Sequence, residues 1–205
     1  GRRLGNRVEI SFGHHRVRAG ELEGLTTIPV IVRDLTDSQM LQFMGRENLE
    51  DYNADFLVML ETWEAAVEYF GARGRRFGPQ VVARTLGWTF RSTDETQVDK
   101  MNHTALACSG ASSLINDGHL DRNDLKDLPV RAVRNLVSET RQSIQRVQSR
   151  VENDQTGFLR PDYTERATEA VVEAAVRTAD DLREGNIGHG QIRSSIRTTI
   201  PSDIR

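Results

Sequence analysis

Only one cysteine, Cys108, occurs in 205 residues. That excludes an internal disulfide and the common zinc frameworks, which need several thiolates, and it suits a reducing cytoplasm. Lysine is scarce too: of 27 basic residues, only Lys100 and Lys126 are lysines. The positive charge is therefore nearly all arginine, the side chain suited to planar, bidentate binding of phosphate. A GC-rich genome produces the same bias with no function attached. No apolar run approaches the roughly 20 residues of a membrane-spanning helix, and no signal peptide is visible. The sequence begins at Gly1 without a methionine, which predicts that a native N-terminus has been trimmed.

What is present describes a polar, soluble globular protein: 28% of residues are charged and 37% hydrophobic, over a length that suits one or two domains. The net charge of −3 says little about nucleic acid, so local clusters of charge must decide.

Along the chain, VEISF (8–12) alternates apolar and polar and reads as a strand, ended by Gly13. A short helix over 15–24 follows, then TTIPVIVRD as a second strand with Pro29 at its entry. Thr36 is an N-cap candidate for a helix over 37–48, and Asn53 or Asp55 for one over 56–70. Residues 71–78, GARGRRFG, form a basic, glycine-rich linker. Helices are expected over 79–88, 93–108 and 109–117, then as two long amphipathic stretches over 128–151 and 164–184. From Gly185 the composition predicts a flexible tail. In the long helix, Arg131, Arg134, Arg141, Arg146 and Arg150 lie among Leu, Ile and Val, which suits either a dimerisation helix or a bundle helix with one solvated face.

The tetrapeptide Gly13-His14-His15-Arg16 admits three readings: a metal site, a redox or phosphate site, or a solvated polar turn. Adjacent histidines seldom ligate one ion together, and no third ligand stands at helical spacing. Cys108, in an apolar helix, reads as a small core residue rather than a nucleophile. Phe56, Leu60, Trp63 and Tyr69 read as a helix face turned to the core rather than a base-stacking platform.

The stretch GHHRVRAGELEGLTTIPVIVRDLTDSQMLQFMGRENLEDY resembles the N-terminal domain of ParB, the partition protein, with the ParB/sulfiredoxin-like fold. A strand, Gly-x-x-Arg, a short helix, TTIPVIVRD, a helix and Glu-Asn-Leu occur in that order over 8–52. The resemblance implies an α+β N-terminal domain over about 1–70 that binds and slowly hydrolyses CTP with magnesium. Gly13, His14, His15 and Arg16 would then face the phosphates, with amide N–H groups and a helix dipole drawing the anion and a guanidinium neutralising it. Glu47 and Asn48 would supply oxygens for magnesium and polar contacts to phosphate, with Glu47 as metal ligand and catalytic carboxylate. Redox chemistry of the sulfiredoxin kind would need a cysteine in the glycine turn, where this chain has histidine. Glu50 and Asp51 follow Leu49 where the family carries an arginine, and these acids oppose a triphosphate. The family segment that precedes the first matched strand is largely missing from this sequence.

The resemblance also implies a helix-turn-helix over about 71–130. PQVVARTLGW would be its scaffold helix, and TFRSTDETQVDKMNHTALA would hold the recognition helix, with Thr96, Gln97, Lys100, Asn102 and His103 able to face bases or phosphates. Arg73, Arg75, Arg76, Arg84 and Arg91 form the densest basic cluster and suit phosphate positioning; Asp94, Glu95 and Asp99 oppose it. Residues 131–184 would form a bundle or dimerisation segment. The expected partners are DNA, a second copy of the chain and a partition ATPase, in a cytoplasmic, nucleoid-associated setting. Rival readings are a magnesium-dependent nuclease, phosphotransferase or nucleotide hydrolase using Glu47, and an interaction module without nucleotide.

Overall fold

The computed structural model describes residues 1–50, 55–72, 77–88, 95–154 and 162–200, without the side chains of 49, 50 and 95–101. An antiparallel hairpin opens the chain. Strand β1 (Arg2–Leu4) pairs with β2 (Arg7–Glu9) across the turn at Gly5 and Asn6, with Arg3 opposite Val8. Helices α1 (His14–Leu22), α2 (Asp37–Glu50) and α3 (Phe56–Gly71) follow. Asp55 starts α3 as an N-cap whose carboxylate accepts from the Leu57 amide. Next come α4 (Pro79–Thr85), α5 (Glu95–Asn116), α6 (Arg122–Leu125), α7 (Val130–Glu152) and α8 (Tyr163–Arg183), then a 3₁₀ turn (His189–Gln191) and α9 (Ile192–Thr199). No described helix is long and apolar enough to cross a membrane.

The strand expected over 8–12 ends at Glu9 and pairs with β1, which the sequence reading lacked, as it lacked α6; three further elements depart more widely. The segment 26–34, expected as a strand, lies outside the sheet: Gly1 donates to the Ile31 carbonyl and accepts from the Arg33 amide, both at 3.0 Å, but no ladder forms. β-Branched residues make a segment fit for a sheet, but a ladder needs a partner strand along its length. The pair of helices expected over 93–117 is one helix, α5. Gly110 does not break it because glycine is what lets α5 approach α7; a Cβ there would stand 2.7 Å from Val137 Cγ2. The expected flexible tail forms the 3₁₀ turn and α9, since Ile192, Ile196 and Ile200 recur every four residues and are all buried.

One continuous core runs through α3 to α9, and among the described residues its first buried member is Phe56. Helix α7 is central: it packs on α5 and α8, with α9 laid across both α7 and α8. Its buried face carries Val133, Leu136, Val137, Ile144 and Val147, while Arg131, Arg141 and Arg150 stay exposed. Within the single chain, α7 is thus a bundle helix with these arginines on its exposed face. Cys108 is buried in α5, and burial first, with nearby Glu64 adding to it, pushes its thiol up. Phe56, Leu60 and Trp63 are buried and Tyr69 packs partly against them, so that face is core.

Helix α2 joins the N-terminal segment to this core. The Trp88 indole N–H, fully buried just beyond α4, donates to the Gly45 carbonyl of α2 at 3.0 Å. Its ring stacks on Trp63 of α3 at 6.1 Å.

Candidate functional site

The N-terminus of α1 is built by Gly13, whose φ of +84° is the left-handed conformation that glycine adopts without strain. Its carbonyl accepts from the amides of Arg16 and Val17. No side chain caps the helix and no acid stands in its first turn. A helix start with no acidic side chain of its own leaves the positive end of the helix dipole to attract an anion. His14, His15 and Arg16 are all exposed. Gly13 and Arg16 line a cavity of about 330 Å³ whose walls include Ile10, Phe12, Ile28 and Val30. A guanidinium at the rim of an apolar cleft fits a ligand with an anionic end and a flat, less polar body.

Glu47 and Asn48 do not line that cavity. Glu47 is half-buried on α2, one turn after Phe43. The Phe12 and Phe43 rings lie 6.2 Å apart, which brings the glycine turn to the flank of α2 that carries Glu47. Asn48 turns to α3, where its amide donates to Thr62 Oγ1 at 2.7 Å, and Thr62 donates in turn to the Val58 carbonyl. One Asn48 N–H is therefore used in helix packing, and the side-chain carbonyl oxygen and second N–H are the groups left to offer a ligand. Among the described residues, no three His, Cys, Asp or Glu side chains gather as a metal cage. Glu47 alone fits magnesium in the way such ions are commonly held, by one or two carboxylates together with substrate phosphates. Phe12 and Phe43, which set this approach, give no signal in the sequence beyond being aromatic.

Of the residues expected to meet DNA, Arg84 is exposed on α4, its Nε donating to the Gln80 carbonyl at 3.3 Å. Gln97 and Lys100 lie in the first turns of α5, and their side chains fall outside the description, as do Arg73, Arg75, Arg76 and Arg91. Helices α4 and α5 pack together. His103 of α5 meets α7: its Nε2 lies 2.9 Å from Arg134 Nη1. Since arginine can only donate, Nε2 accepts and Nδ1 carries the proton.

Residues 2–49 match the ParB N-terminal domain family. The N-terminal segment is similar to that domain. The glycine turn, Arg16, Glu47 and Asn48 all fall inside that match. Similarity to partition proteins extends further. The chain is 26% identical over 128 residues to a probable chromosome-partitioning protein ParB of Coxiella burnetii, covering 62% of this chain and 40% of that protein. It is 40% identical over 60 residues to a probable plasmid-partitioning protein ParB of Deinococcus radiodurans, covering 29% of this chain and 21% of that protein. The chain thus spans less than half the length of either relative. No solved structure matches it.

Proposed function

We propose that this chain is a ParB-type DNA-binding protein serving replicon partition or the regulation of genes near its binding site. In this reading its ParB N-terminal domain binds CTP with magnesium, and α4 with the start of α5 contacts DNA. The observation that carries it is the meeting of three features within the family match: a left-handed Gly13, an uncapped α1 and Arg16 on the rim of an apolar cleft. The amides and guanidinium supply the anion contacts, and Glu47 supplies the one carboxylate that a magnesium–triphosphate needs from protein.

The DNA half rests on a separate observation. The stretch similar to the Coxiella protein covers 128 of 205 residues, so wherever it begins it takes in 78–128, the span of α4 and α5. Calorimetric titration of CTP with magnesium tests the nucleotide half. The wild type is expected to give saturable heat, with affinity falling roughly tenfold or more in Arg16→Ala, the loss of one charge-assisted contact. No heat in the wild type would leave the domain as a scaffold.

A further inference from the structure

A second cavity, of about 480 Å³, lies between α7, α8 and α9, and its lining includes Arg146, Val147, Val171, Arg197 and Ile200. Its volume falls in the range of roughly 300–1,000 Å³ that holds a small organic ligand. The charge around it is unbalanced. Glu139, its side chain 8% exposed, is the sole carboxylate partner of three guanidinium groups among the described residues: Arg146 Nη1 at 3.2 Å, Arg197 Nε at 3.2 Å and Arg193 Nε at 3.7 Å. Glu139 does not line the cavity, whereas Arg146 and Arg197 do. The side of the cluster turned to the cavity is therefore the cationic one.

We propose that this cavity binds a small amphipathic anion, its apolar body against Val147, Val171 and Ile200 and its carboxylate or phosphate head against Arg146 and Arg197. One carboxylate holds α9 to α7 but balances only one of three positive charges. A second anion at the cavity mouth would relieve the remaining repulsion, and an apolar chain would fill the space behind it. Such a ligand would tie α9 to α7 and α8, the two helices against which it packs. A bare polyanion such as the DNA backbone has no apolar body to occupy the pocket.

Calorimetry on the whole chain tests this, with decanoate and decyl phosphate as probes and inorganic phosphate and 1-decanol as the head alone and the tail alone. At least one of the two amphipathic anions is expected to bind more tightly than both controls, and which one does so separates a carboxylate head from a phosphate head. Arg197→Gln should weaken that binding by roughly tenfold, one charge-assisted contact. Thr198→Trp, placed at an exposed position of the lining, should abolish it while the circular dichroism spectrum stays that of the wild type. If Arg197→Gln does not fold, Thr198→Trp decides alone. The proposal is overturned if neither anion gives heat, if either control binds as well as the better anion, or if Thr198→Trp leaves the affinity unchanged.

Discussion

Cys108 shows how a single side chain can be read correctly from sequence and still add something once its surroundings are known. An isolated cysteine in an apolar helix reads as core, and it is buried with its thiol pushed up. The folded protein keeps this proton while the unfolded chain releases it above about pH 8.5. The unfolded state then binds fewer protons, so stability falls as pH rises, by at most roughly 1.4 kcal/mol per pH unit. Cys108→Ala should therefore show a shallower decline above about pH 8.5 than the wild type when denaturant midpoints are compared across pH; parallel curves would mean an exposed thiol. Other residues were less legible. His103 carries the polarity of a base-reading residue, yet Arg134 lies 31 positions away and holds it against α7; nothing local announces a pairing at that distance. The Phe12–Phe43 contact that brings the glycine turn to the Glu47 flank is hidden in the same way.

Elements follow a similar division. Helices with strong periodicity are legible because the signal lies within a few residues: α3 behind its Asp55 cap, and α7 from its amphipathic repeat alone. The segment 26–34 fails as a strand because pairing is decided by a distant partner, and α9 fails as a tail because composition masks three isoleucines at four-residue spacing. The sequence also conceals what fastens α9. Arg193 and Arg197 reach back to Glu139, more than fifty positions earlier. Glu139→Gln leaves three arginines without their shared carboxylate. The arginines are about half exposed, so water screens much of the effect, and a loss on the order of 1–2 kcal/mol is expected. Mutual repulsion would supply part of that loss, so it should shrink at high salt; urea melts at two salt concentrations check both the size and the trend.

For the molecule as a whole, an arginine-dominated positive charge on a chain of net charge −3 sets the expected behaviour toward DNA. Attraction must come from local clusters, so binding should weaken steeply as salt rises. The double substitution Arg75→Ala with Arg76→Ala should weaken binding alike on every sequence and lower the slope of log affinity against log salt by about 2. Fluorescence anisotropy across a salt series measures both, and salt-independent binding would remove the DNA role. The N-terminal domain was legible at this scale because its parts recur in a fixed order, whereas the helical half offers only amphipathic periodicity, which many unrelated bundles share. The chain's only two tryptophans, Trp63 and Trp88, stack at the place where α2, α3 and α4 meet. All indole emission thus comes from the seam between the N-terminal segment and the helices that follow it. The protein is its own optical gauge of that seam: a ligand that shifts α2 relative to α4 must change the colour or intensity of its light, and one that leaves the seam still will be dark to it.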